Sequence, residues 1–553
     1  YGGYSGITYE PNQRIIAGKA AMNYVTGTHN VKIGMDLQRG HRGRINPNFS
    51  DDLAYRTTDY ALNQVTVFAP AGAYQSNLDY NVGLYGQDKW TMRRVTLSGA
   101  LRLDLQSESY NAYTTPGPSP YLPNRVPQSF PGAQVAVWQD LEPRFGFAYD
   151  LFGNGKTAIK ASAARSIIQE GLNTAELLNP AVAISTSVAR TVTDRNGNHV
   201  PDCDLTNPLA NGECGPWLTT GFGSQLPSTT QDPATLRGWD VRPWNWEFTT
   251  SIQHELKPRV SVGLTYFRRI NGGFLTQINT ADTAADFTAL PVVVPTDARV
   301  PASGQTLTVY DINPVLHSGL PFNTTSNRIT FASSYGTMYQ HWNGFDLTTQ
   351  ARLKGGTTTQ GGVTFGKTMN DDCSMIAAQP QLVASTLVGS TLTASSSAAS
   401  TPVQDCHNES GWQPQYKFLA SHELPWYGLR VSGNFQSLPG PAVQAGVIYT
   451  GAQLAPALGR TFSAGAAGQK TVNVFVPNTV FGDRLNQLDI RFAKIFKIGG
   501  GTLDADFDLY NAFNSDASLA LTSAYSGTNG GAWLKPTAII QGRIFKAGVR
   551  WDF

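Results

Sequence analysis

Apolar and polar residues alternate with a period of two along much of the chain, over roughly 10 to 15 residues at a time. In Arg94–Leu105, every second residue from Val95 onward is apolar or glycine, and the residues between them are mostly polar or charged. In Thr502–Phe513, leucine, alanine and phenylalanine alternate with three aspartates. Because successive side chains of a β-strand point to opposite faces, each stretch predicts a strand with one apolar and one polar face.

The length of these stretches distinguishes between two β architectures. Strands of soluble sandwiches usually have about 5 to 6 residues, whereas a tilted membrane strand needs about 9 to 11. Several stretches also end in tryptophan, as at Trp90, Trp138 and Trp246, which is typical of an interfacial aromatic girdle. The pattern therefore predicts an all-β transmembrane antiparallel barrel, with about 16 to 22 strands in the full protein.

The predicted strands are joined by connections of two very different lengths. Short links are expected near 28–30, 153–155, 257–258 and 499–501. Long connections are expected over about 106–140, 194–240, 273–327, 370–414 and 452–482. Short turns at one end and long extracellular loops at the other are typical of outer-membrane barrels.

Composition agrees with a barrel and disfavours several other classes. Charged residues make up 14% of the chain, against roughly 25% in soluble proteins. No run approaches the roughly 18 apolar residues of a spanning helix. A net charge of +2 indicates no basic surface for nucleic acid. The sequence also lacks the nucleophile, phosphate-loop and zinc-protease motifs, so no enzyme is predicted.

The four cysteines fall into two sequence pairs, Cys203 with Cys214 and Cys373 with Cys406. Each pair lies in a polar stretch that resembles a loop, and neither has the spacing of a zinc site. Two disulfides formed in an oxidising compartment are favoured over free thiols.

A segment beside the first cysteine pair carries oxygen-bearing groups at alternate positions. Calcium takes six to eight oxygen ligands, and this spacing allows a short loop to surround one ion. A solvated Asn/Gly/Asp turn is the alternative, since Leu205 occupies the position at which an EF-hand has its bidentate glutamate. The candidate calcium ligands are Asp194, Asn196, Asn198, the backbone of Val200, Asp202 and Asp204.

Three aspartates near the C-terminus, Asp504, Asp506 and Asp508, share one predicted strand face. A water-filled lumen explains them better than acid catalysis does. Opposite charges on neighbouring strands stabilise a sheet by a few tenths of a kcal/mol each. The candidate partners are Arg491, Arg543 and Arg550.

The chain ends in a two-faced segment with a terminal aromatic residue. Trp551 and Phe553 fall on its apolar face, whereas Lys546 and Gly548 fall on the other. This arrangement resembles the C-terminal signal that the outer-membrane barrel assembly machinery reads, which makes that machinery an expected partner. The last strand of a soluble sheet is the alternative.

Three blocks of sequence carry a resemblance to the Oar-like TonB-dependent receptors. The first consists of Arg484–Phe496, Phe507–Asn514 and the closing segment; the second of Asp194–Asp204 with Asn211–Cys214; the third of Asp371–Cys373, Cys406–His407 and Phe435–Gly440. The match extends over most of the chain.

The resemblance implies an outer-membrane transporter in which an unidentified extracellular ligand binds the loops and passes through the lumen. In that family, the TonB complex acts through an N-terminal region, and an N-terminal β-sandwich and a globular plug precede the barrel. Residues 1–553 are expected to form the barrel alone, because no plug-like region precedes the first alternating stretch. A structural, adhesive or export-related surface barrel and a passive porin remain as alternatives.

Overall fold

The computed structural model describes residues 9–45, 52–219, 221–226, 229–313, 327–388, 390–394, 399–425, 428–526 and 530–553. In these residues, fifteen strands form one antiparallel ladder in which each strand pairs with its neighbours in sequence. They are β1 (Tyr9–Thr26), β2 (His29–Ile45), β3 (Ala73–Met92), β4 (Val95–Tyr110), β5 (Ala133–Asp150), β6 (Thr157–Ile167), β7 (Trp244–Lys257), β8 (Val260–Gly272), β9 (Tyr339–Arg352), β10 (Thr358–Asp371), β11 (Gln413–Glu423), β12 (Leu429–Leu438), β13 (Leu485–Ile498), β14 (Gly501–Tyr510) and β15 (Ile544–Asp552).

Turns and loops lie at opposite ends of this barrel wall, as predicted. Two-residue turns connect β1 to β2 and β13 to β14, and Gly27 and Gly499 adopt φ values of 55° and 57° in them. Tight hairpins favour residues with positive φ because the twist of such turns matches that of the strands. The extracellular connections cover 46–72, 111–132, 168–243, 273–338, 372–412, 439–484 and 511–543.

The apolar face of the wall is exposed rather than packed in a core. The exposed fractions are 49% for Leu101, 59% for Phe145, 50% for Leu347, 47% for Phe492 and 71% for Val549. These residues share one side of the ladder through the strand pairing. A soluble sandwich would bury this row, so its exposure agrees with a wall that faces lipid.

The hydrophobic core lies among the extracellular loops. Its largest cluster joins Leu290 and Val309 from the 273–338 loop to Val472 and Phe475 from the 439–484 loop, and Trp533 from the 511–543 loop completes it. Four loops contribute to this cluster, which also includes Val383. Burying each such side chain stabilises the fold by about 1.5 to 3 kcal/mol, so the loops pack on one another as an ordered layer.

Short strands and helices give these loops their shape. The loop strands are Leu53–Thr58, Ala61–Phe68, Tyr113–Thr114, Ser129–Phe130, Ser187–Thr191, Thr230–Gln231, Arg237–Trp239, Leu275–Asn279, Phe287–Val293, Thr306–Ile312, Asn327–Phe331, Ser385–Val388, Thr391–Ala394, His407–Glu409, Gly446–Thr450, Gln469–Asn473, Ser518–Leu521, Ala524–Tyr525 and Pro536–Ile539. The α-helices are Asn173–Leu177, Pro233–Leu236, Cys373–Ala378 and Gly451–Leu458, and the 3-10 helices are Pro180–Ala183, Ala284–Asp286, Ala332–Ser334, Pro380–Ala384 and Val403–Asp405. None of the helices in the described residues has the length and apolar character to cross a membrane.

Some loops begin at other residues than the sequence predicts, and two loops were not predicted. The predicted connection at 194–240 begins earlier, at 168, and the connections at 46–72 and 511–543 were not predicted. Leu53–Thr58 and Ala61–Phe68 alternate as a wall strand would, but they form a small sheet with Ser187–Thr191 above the barrel. A period of two identifies a two-faced strand without indicating which sheet it joins.

Candidate functional site

The inner face of the wall carries amide and hydroxyl side chains at positions alternating with the exposed apolar row. Across β7 to β12 they surround an open cavity of about 600 Å³. Lys417 is the one charged side chain among the described residues that line this cavity. The lining includes Gln253, Thr348, Gln350, Gln360, Gln415 and Asn434. Such a surface can hydrogen-bond a polar solute with little net electrostatic attraction.

The predicted aspartate row lies on the inner face of β14, next to cations from two other strands. The Asp508 carboxylate accepts hydrogen bonds from Nε and Nη2 of Arg491 at 2.5 and 2.8 Å. The two bonds form a bidentate pair. Arg491 also lies 3.8 Å from Asp506. Asp504 lies 3.6 Å from Arg430, which the sequence analysis did not identify because the two are far apart in sequence.

Two of the predicted cationic partners bind elsewhere. Arg550 lies opposite Asp504 in the strand pairing, but its guanidinium contacts Asp552 at 3.0 Å. Arg543 precedes β15 and donates to the carbonyl of Ala512 at 2.7 Å. The expectation that both neutralise the aspartate row is wrong, because side chains follow local geometry rather than strand order alone.

The 168–243 loop folds inward over the inner face of the wall. Its helix Asn173–Leu177 presents the Ala175 N–H to Glu108 on β4 at 2.9 Å. On the same helix, Glu176 lies 3.0 Å from Arg42 and 3.3 Å from Arg44, both on β2. The helix is therefore fastened to two wall strands through charged groups.

The C-terminal end of this loop is attached to the wall through buried residues. Arg237–Trp239 pairs in parallel with Val137–Gln139 of β5. Nearby, Arg242 donates to Asp140 at 2.7 Å, and both residues are almost fully buried, with 2% and 0% of the side chain exposed. The Arg242 guanidinium also lies 5.3 Å from the ring centroid of Trp138. We call this Arg242–Asp140–Trp138 cluster the inner latch.

Trp138 corrects the sequence-based expectation for that position. It was predicted to belong to an interfacial girdle, but it is 2% exposed and its indole N–H donates to the Thr235 carbonyl at 3.0 Å. Its side chain lies on the inner face of β5, with Asp140, beneath the returning loop. The sequence contained no signal for this, because the loop that covers Trp138 lies about 100 residues away.

Both predicted cysteine pairs form disulfides, with Cα–Cα distances of 5.9 Å for Cys203–Cys214 and 4.9 Å for Cys373–Cys406. Each closes part of an extracellular loop. In the chain-entropy description, bridges of this span stabilise by about 3 kcal/mol by restricting the unfolded chain.

The predicted calcium segment forms a compact turn in the 168–243 loop. The Asp194 carboxylate accepts hydrogen bonds from the backbone N–H groups of Gly197 and His199 at 2.8 and 2.9 Å. Asp202 accepts the side-chain amides of Asn196 and Asn198 at 2.6 and 3.0 Å. These four polar side chains thus converge on one turn.

Asp204 and Val200 lie at the end of that turn. Hydrogen bonds from Thr206 hold the pKa of Asp204 below its ordinary value, so this carboxylate is charged at neutral pH. Within the described residues, no three His, Cys, Asp or Glu side chains are grouped as a metal site. The predicted calcium ligands differ from such a group, since they include two asparagines and a backbone carbonyl.

The closing segment forms β15 and pairs with β14 along its whole length. Trp551 is 45% exposed on the apolar face, and Phe553 is fully exposed just after the strand. Lys546 lies opposite Asp508, and Gly548 lies opposite Asp506. A Cβ atom at Gly548 would approach the Asp506 carboxylate oxygens to 2.9 Å, so a side chain there would crowd the aspartate row.

Comparisons with known proteins agree with this architecture. A family profile described as an outer membrane beta barrel domain matches residues 2–399. A search of curated proteins finds no match.

Solved structures with a similar fold include bacterial outer-membrane transporters. The outer membrane transporter YddB from Escherichia coli has 11% identity and a TM-score of 0.41, over 97% of this chain and 65% of YddB. The ferric-catecholate import receptor Fiu, also from Escherichia coli, has 12% identity and a TM-score of 0.46, over 97% of this chain and 54% of Fiu. The FrpB iron transporter from Neisseria meningitidis has 12% identity and a TM-score of 0.43, over 97% and 55% of the two chains. The chain spans less than two thirds of the length of each.

The inner latch yields a prediction. Arg242→Met leaves the buried Asp140 without a counter-charge, which costs about 3 to 5 kcal/mol in comparable pairs. We expect faster hydrogen exchange at the backbone amides of Arg237–Trp239, because the parallel pairing opens. The double variant Asp140→Leu/Arg242→Met should recover most of the protection. Equal exchange in wild type and Arg242→Met would show that the latch does not hold the loop.

Proposed function

Because the chain belongs to the outer-membrane β-barrel domain family, we propose that it forms the wall of a TonB-dependent transporter that takes up an extracellular ligand. The protein lies in the outer membrane of a Gram-negative bacterium. The observation that carries the proposal is the polar cavity on the inner face, which lies within a wall whose exposed residues are apolar. The three sequence blocks that resemble Oar-like receptors support the same class.

The loops supply the recognition surface in this proposal. They share a hydrophobic core and two disulfides, so a ligand would meet preformed contacts rather than flexible chain. The amide-rich cavity below them favours a ligand that binds through hydrogen bonds. In this proposal, the TonB complex would supply the energy coupling.

The full gene product provides the test of this proposal. We expect it to bind the periplasmic domain of TonB in calorimetry and to give no steady conductance steps in planar bilayers with potassium chloride. A variant of the full protein lacking its TonB-binding segment serves as the control and should lose only the binding. Steady conductance without TonB binding would identify a passive porin. A closed barrel without TonB binding would favour a structural, adhesive or export-related role.

We also propose that the Asp194–Asp204 turn binds one structural calcium ion. Its carboxylate and amide oxygens are of the type that calcium prefers, and the adjacent Cys203–Cys214 bridge limits the freedom of the loop. Binding to the folded state alone stabilises that state by mass action.

Calcium at millimolar concentration should therefore raise the melting temperature of the extracellular loops, or slow proteolysis of the 168–243 loop. The Asp194→Asn/Asp202→Asn variant should lose this response because two carboxylates are removed. The exposed Asp516, in a different loop, provides the control variant Asp516→Asn, which should respond like wild type. An identical response to magnesium, or none to either ion, would contradict a calcium site.

We propose, thirdly, that Lys546, Gly548, Trp551 and Phe553 are read by the barrel assembly machinery. Phe553→Ala should lower the amount of folded protein in the outer membrane several-fold, measured by heat-modifiable mobility, because the terminal aromatic side chain is lost. Phe545→Ala removes an aromatic side chain from the same strand and face and serves as the control. Equal losses in the two variants would indicate lost lipid contact rather than a recognition signal.

A further inference from the structure

Arg125 is a buried arginine in the extracellular 111–132 loop. Its side chain crosses to the 46–72 loop, where Nη1 donates to the Pro70 carbonyl at 2.7 Å. The residue is only 8% exposed. A charged guanidinium in this position has lost most of its hydration, which is costly unless its N–H groups find acceptors.

The other edge of this guanidinium has no acceptor. Nε and Nη2 are both buried, and neither has a hydrogen-bond partner among the described residues. No carboxylate of the described residues forms an ion pair with Arg125 either. Burial holds the pKa of Arg125 below its ordinary value.

Other buried arginines show how this chain satisfies a guanidinium when it serves only structure. Arg190 is fully buried, and it donates to the carbonyls of Gly215, Asp204, Asn207 and Leu209 at 2.7 to 2.9 Å. Arg242, described above, donates through Nε to a carboxylate and through Nη1 to an amide, and its Nη2 has no partner among the described residues. Arg125 has a single carbonyl.

Two further donors without acceptors lie in the same part of the loops. The Trp217 indole N–H and the Ser119 hydroxyl are both buried and unpartnered among the described residues. The Trp217 ring packs against Phe222 with centroids 5.3 Å apart, and a Cβ atom on the following residue, Gly223, would lie 3.8 Å from Arg125 Nε. The backbone of Ser119 pairs with that of Leu122, which covers Gly223. Buried polar atoms without a hydrogen-bond partner among the described residues therefore occur on three side chains of these neighbouring segments, Arg125, Trp217 and Ser119.

We propose that Arg125 binds an oxyanion between the 46–72, 111–132 and 168–243 loops. The free Nε–Nη2 edge presents two parallel N–H groups, which match the two oxygens of a carboxylate, phosphate or sulfate. A Cβ atom at Gly223, in the 168–243 loop, would lie 3.8 Å from Nε, so this edge faces the junction of two loops. The site does not depend on the uptake proposal, because it requires only the folded loops.

A thermal-shift series on the full-length protein in lipid nanodiscs tests the site. Sulfate, phosphate and acetate are titrated against chloride at constant ionic strength. We expect the oxyanions to raise the melting temperature by several degrees relative to chloride, because they bind the folded state alone. Response to sulfate and phosphate alone would identify a free inorganic oxyanion, whereas response to acetate would identify the carboxylate of an organic ligand.

Three variants separate binding from packing. Arg125→Met keeps the volume, removes the unpaired charge, and should abolish the oxyanion response. Arg125→Lys keeps a charge without the paired edge and should lose the preference for oxyanions over chloride, which gives a second measurement if the Met variant fails to fold. Arg328→Met removes a half-exposed arginine that pairs with Asp232 at 3.0 Å and should respond like wild type. An oxyanion response that persists in Arg125→Met, or is absent from wild type, would overturn the proposal in favour of a buried water molecule.

Discussion

The constraint on which the rest of this structure depends is the hydrogen bonding of the backbone in hydrocarbon. No water is available there, so each N–H and C=O of a spanning segment must find a partner within the protein. Of the fifteen strands, the thirteen between β1 and β15 meet this requirement by pairing on both edges, and among the described residues β1 and β15 each pair on one edge. The alternation of side chains then follows from strand geometry: one row is exposed and apolar, as Leu347 and Val549 illustrate, and the other is polar and turned inward.

The loops at the extracellular end of this wall pack into a second folded layer. A wall exposed to lipid gains little from burying its own apolar residues, and the dry core of the protein lies instead in the loops, around Leu290, Val472 and Trp533. Two disulfides reinforce that layer. The loops therefore behave as a small folded domain assembled from distant segments, which suits a surface that must hold a fixed shape toward the medium.

Three buried guanidinium groups show three different solutions to one electrostatic problem. Arg242 is neutralised by Asp140 and fastens the returning loop to the wall. Arg190 donates to backbone carbonyls within and just after the segment that the Cys203–Cys214 disulfide closes. Arg125 has one acceptor and joins two loops. Arg190 finds acceptors within the chain for Nε, Nη1 and Nη2, and Arg242 finds them for Nε and Nη1. In our proposal, a group from outside completes the arrangement at Arg125.

The wall could be predicted from the sequence alone, as could the long loops at one end, the cysteine pairs and the inward position of the Asp504–Asp508 row. These features follow from local rules: strand alternation, turn composition and spacing in the chain. Tertiary structure alone decided the inward fold of the 168–243 loop, the burial of Trp138 and the ion pairs of Arg430 and Arg550. The loop, Trp138 and Arg430 depend on which distant segments meet, whereas Arg550 pairs with its near neighbour Asp552. Hydrophobic periodicity carries no information about either choice.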